Sequence, residues 1–174
     1  MAQKPRLIGF TGAAGSGKDT AADFYVAFNG GYRYAFADPM RRMLAQIGVD
    51  LNDPYWTARK EEVIPLFGVS PRRMMQTLGT EWGRTCIDED LWVDAAMRFV
   101  SGPTVFEDCR FSNEVAAIRE AGGTIIEIQR PGVGPVNGHV SEVLVEPDWT
   151  IINDGDIEAL RFNLTGRGVA AQGI

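Results

Sequence analysis

The chain is poor in the residues that build metal centres and disulfide frameworks, with 2 cysteines and 1 histidine among 174 residues. Cys86 and Cys109 lack metal-ligand spacing, which excludes a zinc-finger-like site. Both are expected to be free thiols packed near strand or helix ends. Positive charge is also in deficit: 17 Lys and Arg stand against 23 Asp and Glu, a net charge of −6. That balance excludes a surface for nonspecific nucleic-acid binding, so basic residues must be read as local clusters. No apolar run is long enough for a membrane span and no signal-peptide core opens the chain, so a cytoplasmic location without membrane partners is expected. Repeats and low-complexity tracts are missing, and only residues 165–174 look poor in structure. What remains is 45% hydrophobic, sufficient for one globular domain with a core.

Against this background one stretch stands out. Gly12-Ala13-Ala14-Gly15-Ser16-Gly17-Lys18-Asp19-Thr20 follows a short apolar stretch, residues 6–11, and precedes an apolar-periodic segment, residues 21–28. Strand, glycine loop, Gly-Lys and helix is the order in which backbone N–H groups wrap a phosphate chain. The helix N-terminus adds its positive dipole end and Lys18 a mobile charge for the outer phosphates. The expected ATP-binding set is Gly12, Ala14, Gly15, Ser16, Gly17, Lys18, Asp19 and Thr20. A Ser or Thr usually follows the lysine and ligates magnesium; here Asp19 holds that place. A carboxylate beside a triphosphate is repelled unless Mg²⁺ lies between them, so Asp19 is expected to face the metal, directly or through water. A helix-capping glycine turn without ligand is the alternative.

Further along, strands are expected over residues 32–38, 103–108, 124–130 and 149–153. Helices are expected from Pro39 to about 47, from Pro71 to 83, over 88–100, from Ser112 to the glycines at 122 and 123, and from Asp156. Residues 48–68 read as irregular, a candidate flap. Five strands spaced by helices predict an α/β fold of the P-loop NTPase class, a five-stranded parallel sheet with helices on both faces. Ligands in such sheets sit at the carboxyl ends of strands, which would place Gly12, Asp38, Asp108 and Arg130 on one rim.

The segment 71–84 carries the second signal. At 100° per residue, Met74, Met75, Leu78 and Trp82 share an apolar arc, and Arg73, Gln76, Thr77, Thr80 and Arg84 share the opposite one. Arg72 and Arg73 in a first helical turn oppose the helix dipole unless an anion lies between them and the helix end. Gln76 adds a paired donor and acceptor for a base edge. The polar arc therefore reads as a site for a phosphate with a base attached, or else as a solvated helix face. Asp108, at a strand end, sits where a metal-orienting carboxylate belongs, with Arg110 two residues beyond. A plain Asp108–Arg110 salt bridge is the other reading. Residues 130–142, rich in Gly and Pro with Arg130 at the hinge, read as a lid over the phosphates. His139, just past the Gly/Pro-rich stretch at about 131–138, reads as a bystander.

With these pieces in place the chain resembles the bacteriophage-type deoxynucleoside monophosphate kinases, a branch of the nucleoside monophosphate kinase-like P-loop proteins. The resemblance runs through residues 12–20 with their Gly-Lys-Asp ending, Phe36-Ala37-Asp38-Pro39-Met40-Arg41, and Gln76-Thr77-Leu78-Gly79-Thr80-Glu81-Trp82-Gly83-Arg84. It continues in Asp108-Cys109-Arg110-Phe111-Ser112-Asn113-Glu114, Arg130-Pro131 and His139-Val140-Ser141-Glu142. It implies transfer of the ATP γ-phosphoryl to a deoxynucleoside 5′-monophosphate, with Mg²⁺, in the host cytoplasm of a phage. It implies one domain over residues 1–174, with an acceptor-binding helical insertion at about 39–101 and the lid at about 130–142. Lys18, Arg110 and Arg130 would be catalytic, and Asp19 and Asp108 would hold the metal. Asp38, Arg41, Arg73, Gln76, Thr80, Trp82 and Arg84 would bind the acceptor. Arg41 replaces a lysine common in the family, which bears on base preference. A homodimer is as compatible with the chain as a monomer. Two alternatives stay open: a kinase of another small acceptor, such as phosphomevalonate or dephospho-coenzyme A, and a P-loop switch that is not a kinase.

Overall fold

In the computed structural model the described residues are 7–134 and 145–165, and they group into two compact units. One comprises the chain up to Ala35 and from Val100 onward; the other is Phe36–Phe99.

The first unit is built on five parallel strands: β1 (Leu7–Thr11), β2 (Tyr32–Tyr34), β3 (Thr104–Phe106), β4 (Thr124–Gln129) and β5 (Trp149–Ile152). Their order is β2-β3-β1-β4-β5, as the α/β reading expects. Alternation along the strands sends side chains to two faces. Ile8, Phe10, Val105, Ile126, Ile128 and Ile151 form one core with Ala21, Ala22 and Tyr25 of α1 (Lys18–Asn29) and Leu160 and Leu164 of α7 (Ile157–Thr165). On the other face, Gly9 leaves room for Ile118 of α6 (Ser112–Glu120), with Ile125 and Cys109 beside it. A Cβ on Gly9 would come within 2.7–2.9 Å of those three side chains.

β1 lies between β3 and β4, so the winding of the chain reverses there. Such a switch point brings the loops after β1 and β3 side by side at the carboxyl edge. The Cys109 N–H donates to the Phe10 carbonyl at 2.9 Å, tying the segment after β3 to the end of β1.

Several elements differ from expectation. β2 ends at Tyr34, whose carbonyl accepts the Glu107 N–H at 3.1 Å, and Asp38 instead opens α2 (Asp38–Gln46) with Pro39 behind it. Proline preset to a helical φ explains the early turn. β3 likewise stops at Phe106, before Glu107 and Asp108. α6 is capped by Glu114 rather than by Ser112: its Oε2 accepts the N–H groups of Arg110 and Phe111 at 2.8 and 3.1 Å. Asp156 does open α7, its Oδ1 accepting from Glu158 and Ala159.

The second unit contains α2, α3 (Pro54–Ala58), α4 (Pro71–Gln76), a π-helix (Thr77–Ile87) and α5 (Leu91–Met97). Residues 48–68 are thus not uniformly irregular: Asp53 caps α3 through the Tyr55 N–H at 2.7 Å, and Ile64 bridges Val69. Ser70 caps α4, accepting the Arg73 N–H at 3.3 Å. The expected helix over 88–100 is confined to α5. The conversion of α4 into a π-helix is not foreshadowed by the hydrophobic period, and it changes which side chains share a face.

Candidate active site

The loop after β1 is shaped by glycines. Gly12, Gly15 and Gly17 have φ of 141°, 81° and 99°, a region side chains rarely adopt. A Cβ on Gly12 would stand 2.4 Å from the Ile128 carbonyl oxygen, and one on Gly17 would stand 2.5 Å from Asn153 Nδ2. The backbone therefore packs tightly on its inner side. No side chain caps the first turn of α1 at Gly17. That is the arrangement in which successive N–H groups and a helix N-terminus receive an anion.

Two contacts hold the loop in shape. The Ser16 N–H donates to the Ala13 carbonyl at 3.1 Å. Asn153, just past β5, donates its Nδ2–H to the Ser16 carbonyl at 2.8 Å in a buried bond spanning 137 positions. The Ser16 hydroxyl is buried and has no hydrogen-bond partner among the described residues. Asn153 was not marked in the sequence. The one available signal is a polar residue ending an apolar strand, and its partner is a backbone atom.

Lys18 is buried at the base of the loop, its Nζ 3.4 Å from the Ala13 carbonyl and 3.7 Å from Asp108 Oδ1. Asp108 also pairs with Arg110 at 2.5 Å. The catalytic and metal candidates Lys18, Asp108 and Arg110 thus form one chain of alternating charge, and the Asp108–Arg110 salt bridge is present. Glu107 faces away from them, to Arg33.

Arg33 is the second residue that sequence reading passed over. Its guanidinium meets three carboxylates: Glu107, Asp23 at 2.5 Å and Asp19 at 3.3 Å. Partial burial alone would lower its pKa; the hydrogen bonds and charges of Asp23 and Glu107 outweigh that and raise it. Arg33 therefore ties Asp19, in the first turn of α1, to the end of β3. Asp19 is itself mostly exposed. Thr20 lies next to it, partly exposed, and Ala14 and Gly15 stand exposed at the loop tip.

The donor set suits magnesium. No group of three or more metal-ligating side chains occurs among the described residues, but Mg²⁺ is usually held by one or two carboxylates together with substrate phosphates. Asp108 and Asp19 are two carboxylates on this part of the fold, each already facing a cation. Arg130 is exposed where β4 ends, in a turn closed by the Val133 N–H on its carbonyl at 3.1 Å. Most of the expected lid, including His139 and Glu142, lies outside the described residues.

Within Phe36–Phe99 the acceptor candidates are arranged differently from an α-helical reading. Asp38 is not at a strand end; it opens α2 and accepts from Arg41 at 3.0 Å. Arg73 pairs with Glu81 at 2.7 Å, while Arg84 donates to the Glu89 carbonyl at 3.0 Å. Gln76 and Thr80 are exposed, and Arg84 is partly so. Trp82, assigned to an apolar arc, is 42% exposed and tilts over Trp92 at 6.0 Å between ring centroids. The physical reason is the π register, which turns it off the buried side. Cys109 is buried as expected, its thiol pKa pushed well up by burial and then by the nearby Glu114 and Asp108 charges. Cys86, expected to be packed, is exposed.

A model of the deoxynucleotide monophosphate kinase family matches residues 58–164. A protein of Acanthamoeba polyphaga mimivirus assigned as a deoxynucleotide monophosphate kinase is 31% identical, over 87% of this chain and 90% of its own length. The deoxynucleotide monophosphate kinase of Enterobacteria phage T4 is 26% identical, over 89% of this chain and 95% of its own. Among solved structures, the Mycobacterium tuberculosis APS kinase CysC, as a Cys556Ala mutant, aligns over 91% of this chain and 92% of that one. The TM-score is 0.42 and the identity 13%.

Proposed function

The chain belongs to the deoxynucleotide monophosphate kinase family and is a phosphotransferase acting on deoxynucleoside monophosphates, and from that premise we propose how its residues divide the work. The observation that carries the activity is the family match over more than half of the chain. The division of labour is supported by the geometry around Lys18.

Transfer of a phosphoryl group needs little covalent help, because an acceptor phosphate is already nucleophilic at neutral pH. Catalysis is then positioning and charge stabilisation. The N–H groups of residues 12–18 wrap the β-phosphate of ATP, and the Lys18 ammonium neutralises the β,γ-oxygens. Asp108 and Asp19 are the carboxylates that would hold Mg²⁺, which would supply charge neutralisation for the phosphates of ATP. Asp108 also fixes Lys18 and Arg110 relative to each other. Arg110 and Arg130 stabilise the charge that spreads over the transferring group. No side chain is assigned as general base.

The acceptor belongs to Phe36–Phe99 in this reading. Arg84 and Arg73 grip its phosphate, and Gln76, Thr80, Trp82, Asp38 and Arg41 face its sugar or base. Residues 130–142 act as the lid that keeps water from the γ-phosphate. Coupled ADP release from Mg²⁺-ATP across dAMP, dCMP, dGMP, dTMP and their ribose forms tests the assignment, with phosphomevalonate and dephospho-coenzyme A as controls. Turnover on deoxynucleotides with little on the controls is the expected result. Tight ATP binding with no turnover on any nucleotide would withdraw the acceptor assignment.

A further inference from the structure

An eleven-residue π-helix is unusual, since the i→i+5 pattern mostly occurs as single-turn bulges. Here it runs on from α4 without interruption and ends with the Asp88 N–H on the Gly83 carbonyl at 3.0 Å, an i→i+5 bond. The register has a chemical consequence. In an α-helix, Arg73 and Arg84, eleven residues apart, would point within about 20° of each other, and Glu81 would stand about 80° from Arg73. The wider turn rotates each successive residue by less than the α-helical angle. The arrangement follows from that: Glu81 lies beside Arg73 at 2.7 Å, and Arg84 reaches the Glu89 carbonyl. The register thus decides whether Glu81 or Arg84 shares the face of Arg73.

Something outside the segment must hold so long a π register, and one side chain grips it at two points. Trp92 of α5 is 3% exposed. Its Nε1–H donates to the Gly79 carbonyl at 2.8 Å in a buried bond. Its ring lies flat where a side chain on Gly83 would be: a Cβ there would come within 2.4–2.6 Å of three indole atoms. Gly79 is closed from another side, where a Cβ would meet Met40 Sδ at 3.0 Å. The two glycines are four residues apart, so indole and helix form a fixed spacer for one wide turn.

We propose that Trp92 is a positioning residue for the acceptor: through Gly79 and Gly83 it holds residues 77–87 in the π register and thereby sets where Thr80 and Arg84 stand relative to Arg73 and Gln76. It touches no substrate itself. The inference rests on the reading that this helix receives the deoxynucleotide.

The test compares three variants on the preferred deoxynucleoside monophosphate, measuring KM for acceptor and for ATP together with the thermal midpoint. Trp92→Phe keeps an aromatic ring but removes the N–H donor, and Gly83→Ala pushes the indole off from the helix side. Both are expected to raise the acceptor KM roughly tenfold, in keeping with the large effect of small misplacements, while the ATP KM stays within about twofold. Arg84→Ala probes the underlying reading and is expected to raise the acceptor KM at least as much. If Arg84→Ala raises the acceptor KM but neither register variant does, the role of Trp92 is overturned and the acceptor helix stands. If Arg84→Ala leaves the acceptor KM unchanged, the acceptor reading falls and the inference with it. Equal losses for acceptor and ATP in Trp92→Phe and Gly83→Ala would reduce Trp92 to a packing residue and overturn the proposal.

Discussion

Asn153 holds Ser16 by a single buried bond, Nδ2–H to carbonyl at 2.8 Å, across 137 positions of chain. It links the end of the last strand to the middle of the phosphate loop, and nothing in the local pattern of either segment requires it. Removing the donor leaves a buried carbonyl unsatisfied, which costs about 1–3 kcal/mol. The loop then loses the bond that fixes the peptide before Gly17. Asn153→Ala is expected to lower stability by about that amount and to raise the ATP KM about tenfold. The acceptor KM should hardly move. Denaturant titration and steady-state kinetics read both, and an unchanged ATP KM would show that the loop keeps its shape without Asn153.

Lys18 stands between the Ala13 carbonyl and Asp108, so its ammonium is held at the loop rather than free in solvent. Removing one preorganised charge aimed at the transferring group costs about 10²–10³ in turnover. Lys18→Met, which keeps the length and the apolar stem, should therefore lose kcat on that scale while the fold persists. Circular dichroism establishes the fold. Activity within about threefold of the parent would remove the lysine from the reaction.

Residues 7–20 were legible because their physics is local: an apolar strand, glycines forced to positive φ, and a helix start follow one another without help from elsewhere. The parallel sheet was legible for the same reason at β1, β3, β4 and β5, which are short mainly apolar runs, whereas β2 is Tyr32-Arg33-Tyr34. Three features were not. Asn153 acts through a backbone carbonyl far along the chain, and Arg33 collects three carboxylates from two separate segments, α1 and the residue after β3. Such partners are invisible to spacing. The π-helix was missed because a helical period of 100° assumes the α register, and the indole that holds the other register lies beyond the helix itself. Arg73 and Arg84 were therefore grouped on one arc, although Arg73 faces Glu81.

The two cysteines should behave oppositely. Cys86 is exposed, and Cys109 is buried, its pKa raised first by burial and then by Glu114 and Asp108. A raised pKa means that the reactive thiolate of Cys109 forms only at higher pH than usual. At pH 8 a thiol reagent is expected to label one site per native chain quickly and the second only after unfolding. Rapid labelling of both in the native state would show that the packing between Gly9, Ile118 and Ile125 opens readily.

In the proposed mechanism Arg33 and Asp19 bear on the metal. Asp19 occupies the place where a hydroxyl usually ligates magnesium, yet it lies 3.3 Å from the Arg33 guanidinium, which also meets Asp23 and Glu107. A guanidinium among three carboxylates lowers the negative potential that a divalent cation would otherwise find there. Arg33→Ala is accordingly expected to reduce the Mg²⁺ concentration needed for half-maximal activity at saturating ATP. Asp19→Ser is expected to shift it the other way while keeping part of the activity, because a hydroxyl can serve the same metal. The double variant separates the two effects. If Arg33 acts through Asp19, removing Arg33 from an Asp19→Ser background should leave the Mg²⁺ requirement nearly unchanged. A shift as large as in the parent would mean that Arg33 works through Asp23 and Glu107 instead, by holding α1 against the ends of β2 and β3.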